Sequence, residues 1–365
     1  MFSIDDKETI DSLVVGTTIL GTGGGGDPET GRETLEEDLK AGRQLRITRL
    51  EDLPDDALIV SPYFIGSIAP GVKANRAVTI PDPFAVALEL VERHFKRKVV
   101  ATVASELGGG NTAAALHVAS QLNIPLVDGD LLGRAGPELH QSTAHIFDAS
   151  MAPSAVVSET GNSVFIEGYA HIDDYEALAR YVAILSGGHA AVIDTPLTKT
   201  KALQLVIKGT ISKSIAIGRA VRDANRDGTD PVEASRRTSG GWLIFRGAVE
   251  KYEWKNERGF LFGEVSLNGR EKWNGRKLCS WIKNEHILAK LDDEPIVMPP
   301  DLIIFLDKNG FGITNDKLKP GLEVSVIAAK APDVWRTAKG LAFFGPKHFG
   351  FQYDYVPVEE LVTGK

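Results

Sequence analysis

The sequence predicts an α/β protein of two parts: an amino-terminal α/β domain with a parallel βαβ unit, and a carboxyl-terminal α+β domain that contains a β-rich subdomain. Three observations lead there. The chain has 365 residues, about twice an ordinary domain. Apolar strand patterns at 99–103 and 124–127 flank a helical pattern at 112–122, which implies parallel strands joined by a right-handed crossover. From Gly240 to Val326 the pattern changes to short strands punctuated by Gly, Asn and Asp.

Taken in order, Ile10, Leu13, Val14 and Thr17 fall at helical spacing behind Asp5 and Asp6, so a helix is expected over 5–18. Asp27 is a natural N-cap and Pro28 suits a first helical turn, so a second helix should run over 28–40. A strand is expected at 58–63, and the cations and His94 of 93–98 suit the end of a helix. Residues 154–168 alternate as a hairpin does. A helix at 173–185, a strand at 190–194 and a long helical stretch over 198–224 follow. The β-rich part is then expected at 242–249, 259–267, 277–282, 302–307 and 323–328. The apolar tail 341–351 reads as a docking segment or an interface.

The formal charge is −8 and the 41 basic residues are dispersed, so there is no footprint for a nucleic-acid backbone. The single cysteine, Cys279, permits no intramolecular disulfide and no Cys-x-x-Cys metal site. No signal peptide and no apolar run of about 20 residues is readable, so a cytoplasmic protein that does not enter a membrane is expected.

Three constellations could carry chemistry. In Gly21-Thr22-Gly23-Gly24-Gly25-Gly26-Asp27-Pro28, the glycines let backbone N–H groups approach a ligand. The loop satisfies G-x-G-x-x-G, but the segment before it reads as helix, and Asp27 would put a carboxylate where a pyrophosphate should lie. Glu106-Leu107-Gly108-Gly109-Gly110-Asn111 follows a parallel strand, where open α/β sheets bind ligands; Asn111 could equally cap the next helix. Asp128-Gly129-Asp130 and Gly133-Arg134-Ala135-Gly136-Pro137-Glu138 follow the neighbouring strand, so Glu106, Asp128 and Asp130 are expected to converge. Close carboxylates raise a pKa or recruit a cation, and Arg134 could answer the charge or bind an anionic group. The plainer reading is an Asp-rich turn with a surface ion pair. His140, His145, His189 and His286 show no zinc-site spacing, and there is no nucleophile elbow.

Together with Lys283-Asn284-Glu285 and Pro300-Asp301-Leu302-Ile303, these segments resemble the DUF917 family along nearly the whole chain. That family includes proteins called S-methyl thiohydantoin desulfurases and is often associated with hydantoinase and oxoprolinase subunits. The resemblance implies an α/β domain over 1–166 and a second domain over 167–365, with its β-rich part at about 240–330. Gly136 departs from the family pattern, which carries a larger apolar residue there. The expected activity is hydrolytic removal of a sulfur substituent from a thiohydantoin-like ring, acting on a small cyclic amide.

On the residues' own chemistry, Asp128 or Asp130 would be the base and Glu106 the acid partner. Arg134 would hold a substrate carboxylate. Gly23, Gly24, Gly25 and Gly26 would contact the ring, with Asp27, Asn111 and Glu138 beside them. A divalent metal held by the carboxylates is the variant mechanism. The alternatives are a non-catalytic ring-amide-binding subunit of a hydantoinase- or oxoprolinase-type partner, and a nucleotide-dependent enzyme using the first glycine loop. A homo-oligomer is expected.

Overall fold

A computed structural model describes residues 1–67 and 77–363. Its first sheet is mixed and takes strands β1 (Phe2–Ile4), β2 (Leu45–Thr48), β3 (Leu58–Gly66), β4 (Ala101–Ala104), β5 (Leu126–Asp130), β6 (Ser154–Val157), β7 (Ser163–Ile166), β8 (His189–Thr198) and β9 (Ile207–Lys208). The order is β1-β2-β5-β4-β3-β8-β6-β7, with β9 on β5. Strands β2, β5, β4 and β3 run parallel, and β8, β6 and β7 continue the sheet antiparallel. The expected βαβ unit is therefore present as β4, its crossover helix and β5.

The helices are α1 (Lys7–Leu20), α2 (Pro28–Lys40), α3 (Pro83–Phe95), α4 (Asn111–Gln121), α5 (Thr143–Ile146), α6 (Ile172–Leu185), α7 (Lys199–Leu205), α8 (Thr210–Asp227), α9 (Pro231–Ser239), α10 (Ala338–Phe344) and α11 (Val358–Thr363). The second sheet takes β10 (Trp242–Glu257), β11 (Phe260–Gly269), β12 (Lys277–Lys283), β13 (Glu285–Leu291), β14 (Glu294–Val297), β15 (Leu302–Leu306) and β16 (Glu323–Ala329). Its order is β14-β13-β12-β11-β10-β16-β15, and every pairing is antiparallel. The first sheet draws strands from as far as Lys208, so a division at 166/167 falls between two elements of one sheet's surroundings. Among the described residues, no helix is long and apolar enough to cross a membrane.

One apolar core joins the two sheets: side chains of α1, α4 and α8 pack with Ile287, Leu302, Ile304 and Ile327 of the second sheet. Helices α1 and α8 meet through Gly16 and Gly218, where any side chain would overlap the backbone of Ser214 or Ser12. The long helix expected over 198–224 is broken. Val206 leaves the helix for an extended conformation, Ile207 and Lys208 pair with Gly129 and Asp130, and Gly209, at φ +77°, restarts the chain as α8. The run Val206-Ile207-Lys208-Gly209-Thr210, a β-branched pair and then a glycine one residue on, is a local strand and cap signal inside an otherwise helical pattern.

The expected docking tail is folded onto the protein instead. Phe344 is fully buried against Trp335, Trp281 packs on Phe349 and Phe351, and Trp335 Nε1 donates to the carbonyl of Leu132 at 2.7 Å. Arg134 lies beneath this tail, fully buried, with its guanidinium carbon 5.0 Å from the Phe344 ring centre. Nε donates to Ala135 O at 2.9 Å. Nη1 donates to Pro300 O and Asp301 O, and Nη2 to Thr22 Oγ1 and His286 O, all at 2.9–3.0 Å. A guanidinium has five N–H donors, so none is left for a substrate carboxylate. The role expected for Arg134 is thus replaced by a structural one, because its side chain turns inward to tie the glycine loop to the second sheet.

Removing this charge strands its acceptors in the interior. Arg134→Met should lower the unfolding free energy in chemical denaturation by about 3–5 kcal/mol. Wild-type stability in that variant would contradict the structural role.

Candidate functional site

A cavity of about 640 Å³ opens between the first sheet and the glycine loop, within the range of small-molecule sites. Its polar lining includes Glu106, Asn111, Glu138, Arg180, Asp194 and Glu285. Phe64 and Phe84, with ring centres 4.8 Å apart, form part of its apolar wall.

Glu106 follows β4, and both of its oxygens are held. Asn111 Nδ2 donates to Oε1 at 2.7 Å, and the Gly136 N–H donates to Oε2 at 3.0 Å. The Asn111 amide is itself oriented by the β3 backbone, since its Oδ1 accepts from Phe64 N at 3.0 Å. Burial pushes the Glu106 carboxyl up to about 7, against the opposing pull of these two hydrogen bonds and of the Arg134 and Arg180 charges. Asn111, the first residue of α4, thus positions Glu106 and lines the cavity as well.

The second carboxyl is Glu285. It begins β13 directly after Asn284, whose positive φ of 55° turns the chain into the strand. Burial, and then the neighbouring Glu106 charge, raise Glu285 well above the ordinary range. Its Oε2 has no hydrogen-bond partner among the described residues, so this buried oxygen can serve a ligand. The cavity therefore contains one carboxyl raised to about 7 beside one that burial raises well above the ordinary carboxylate range. Glu285 belongs to a segment that carries the family resemblance, yet nothing in its spacing places it near Glu106, because the pairing depends on how the two sheets that carry these distant residues dock.

The expected convergence of Glu106, Asp128 and Asp130 does not occur at the cavity. Asp128 accepts from Ser212 N at 2.9 Å and Ser212 Oγ at 2.5 Å, so it caps the first turn of α8. Asp130 is fully buried and accepts from Leu132 N and Gly133 N at 2.9 and 2.5 Å. Burial lifts it to about 7, but neither aspartate lines the cavity. Residues two apart on a strand share a face, and the start of α8 lies against both carboxylates there, through Ser212 at Asp128 and Thr210 at Asp130. The unforeseen helix break is thus what removes both aspartates. Among the described residues, no group of three or more His, Cys, Asp or Glu side chains is disposed to hold a metal ion.

Asp27 caps α2, accepting from Glu29 N and Thr30 N at 3.3 Å each, and so occupies the helix terminus that a phosphate would need. The Gly25 carbonyl accepts from Gly110 N and Asn111 N at 3.1 and 3.0 Å, which locks the two glycine loops together. Gly23 and Gly26 reach the cavity too, with positive φ and packed on Asn315 and Gly110, and the pair between them is equally constrained. A side chain on Gly24 would enter the Glu285 carboxyl, and Gly25, at φ +78°, lies against Gly108. Glu138 accepts from His348 Nε2 at 2.6 Å and pairs with Lys283. Burial works against its charge, but these partners hold it below the usual carboxylate range.

Sequence reasoning also missed Asp194 and Arg180. Asp194 Oδ2 accepts from Tyr63 and Tyr175 hydroxyls at 2.7 and 2.9 Å, and burial raises it to about 7. Arg180 donates to the carbonyls of Gly66, Pro137 and Gly259 and lies 3.7 Å from the Phe260 ring centre, closing one end of the cavity. A helical Arg and a strand Asp carry no local signal of this.

Two sheets docked with a carboxyl-lined cavity at their seam define an α/β protein with one candidate site there. The chain belongs to the S-Me-THD-like family: the model of the S-Me-THD-like N-terminal domain matches residues 8–168, and that of the C-terminal domain matches residues 170–358. Its fold is also that of a crystal structure of a protein from Chromobacterium violaceum, with a TM-score of 0.77 and 20% identity over 98% of this chain and 100% of the other. No curated protein matches the chain.

The two loop glycines should respond differently to alanine. Gly25→Ala strains the backbone and should cost roughly 1–3 kcal/mol in stability. Gly24→Ala should displace the Glu285 carboxyl and thereby alter the pH dependence of activity. Unchanged stability in the first and an unchanged pH profile in the second would show that the loop is not packed on the site.

Proposed function

We propose that the protein is a hydrolase that replaces the sulfur substituent of a thiohydantoin-like five-membered ring with oxygen, releasing a thiol. The observation that carries this reading is the Glu106–Glu285 pair: two buried carboxyls facing one cavity, one near 7 and the other well above its ordinary range. Membership of the S-Me-THD-like family supports the substrate class. Carboxyls with separated pKa values can give and take protons in the same step.

Water adds to the ring carbon that bears sulfur, a C–O bond forms, and Glu106 takes the water proton. Glu285 gives its proton to the adjacent ring nitrogen. In the second half the new hydroxyl returns a proton to Glu285 as the C=O forms. The C–S bond breaks in that same event, its electrons leave with sulfur, and Glu106 passes its proton to the departing sulfur. Both carboxyls end as they began, and the products are the hydantoin and a thiol. In this reading Asn111 and the Gly136 N–H hold Glu106, while the apolar wall of Phe64 and Phe84 takes the ring substituent. The hydantoin product is the kind of ring that a hydantoinase-type enzyme opens, which places such an enzyme next in the same chemistry.

Glu106 must be ionised and Glu285 protonated, so kcat/KM on an S-methyl thiohydantoin should rise with pH through about 7 and fall again at higher pH. The limbs belong to the pair rather than to either residue. Glu106→Gln should reduce kcat/KM by about 100-fold or more and remove the acid limb, and Glu285→Gln should do the same to the alkaline limb. Thiol release by both variants at wild-type rates would defeat this mechanism.

A further inference from the structure

We propose that the outer face of α6 is a two-fold interface through which a second copy of this chain binds. Helix α6 has 14 residues and two apolar faces. The inner face buries Tyr175, Ala179, Val182 and Ala183 in the first sheet's core, and it carries Arg180, which donates to Glu176, to the cavity wall. On the outer face, Leu178, Tyr181, Ile184 and Leu185 are 50%, 57%, 46% and 39% exposed. Ala177 is exposed beside them, and no charged side chain interrupts the outer face after Asp174. The remaining exposed large apolar side chains, such as Val78, Leu203 and Trp254, lie on other elements.

Residues 177, 178, 181, 184 and 185 follow the helical repeat, so they form one continuous stripe. It presents roughly 350–400 Å² of apolar surface, about the size at which a patch on a soluble protein marks a contact site. Doubled by a two-fold axis and given a polar rim, it reaches the area of about 1,000 Å² that a specific interface needs.

Charge selects a second copy as the occupant. Asp174 is exposed at the acidic start of α6, and exposed Arg258 lies on the β10–β11 turn that packs against the carboxyl-terminal half. There Arg180 Nη1 donates to Gly259 O at 2.8 Å, and Gly259 abuts Ile184. An antiparallel two-fold crossing centred between Leu178 and Tyr181 brings the acidic start of each α6 to the Arg258 end of the other, and it opposes the helix dipoles favourably. Since the reverse face of α6 carries Arg180, the contact would also brace the cavity wall.

Sedimentation equilibrium of the full chain tests this. The wild type should be a dimer at tens of micromolar. The double variant Leu178→Glu, Tyr181→Glu should weaken the dimer by about 100-fold or more while circular dichroism stays unchanged, because both side chains are about half exposed. Asp174→Arg should weaken it too, and adding Arg258→Asp to that variant should restore it. If the double variant fails to fold, this charge exchange decides the matter alone. A monomeric wild type, a dimer indifferent to the glutamates, or a charge exchange that does not rescue would overturn the proposal.

Discussion

A single buried cation organises this molecule. The Arg134 guanidinium is sealed from solvent, and each of its N–H groups is accepted by a carbonyl or hydroxyl oxygen. Those acceptors come from its own loop, from the first glycine loop at Thr22, from β13 at His286 and from the turn at Pro300 and Asp301. A charge in the interior is tolerated only when its donors are satisfied, so these four segments can take essentially one arrangement. Burial lowers the Arg134 pKa only to about 10, and the group remains a cation at neutral pH.

The site follows from that arrangement. Docking the second sheet on the glycine loop brings Glu285 within electrostatic reach of Glu106, and the Arg134 and Arg180 charges partly offset both carboxylates. Two buried carboxyls within electrostatic reach of one another disfavour ionising together. The partition between them follows from their contacts: Glu106 has an N–H group on each oxygen, which favours its carboxylate, whereas Glu285 has an unpartnered buried oxygen, which favours its neutral form. The glycine loops allow this closeness, since side chains at Gly24 or Gly25 would push the carboxyl or the opposing loop away.

Much of the framework is legible in the sequence. Asp27-Pro28 announces α2, the apolar strands around the 112–122 pattern announce the βαβ unit, and the Gly, Asn and Asp punctuation announces the antiparallel sheet. Glu106, Asn111 and the glycine loop are recognisable as cavity residues because strand ends and glycine turns have local signatures. The rest depends on tertiary contacts. Asp128 and Asp130 are engaged away from the cavity by the start of α8 and by the loop after β5, and α8 starts where it does because a two-residue strand, β9, interrupts a helical pattern. Arg134 reads as a cation for a substrate carboxylate or a surface ion pair until the acceptors on Thr22, His286, Pro300 and Asp301, more than 100 residues away, are known. Glu285, Arg180 and Asp194 reach the site only through the docking of the sheets, and strands β13 and β14 are separated by a turn too brief to break the apolar pattern.

The central claim is that the cavity keeps one carboxyl protonated beside one that titrates near neutrality. Infrared spectroscopy of glutamate-labelled protein reads this directly, because a protonated buried carboxyl has its own C=O stretch. At mildly alkaline pH, where Glu106 is ionised, a protonated-carboxyl band should persist in the wild type and in Glu106→Gln and be absent in Glu285→Gln. A spectrum with no such band in the wild type, or a band that survives Glu285→Gln, would contradict the account.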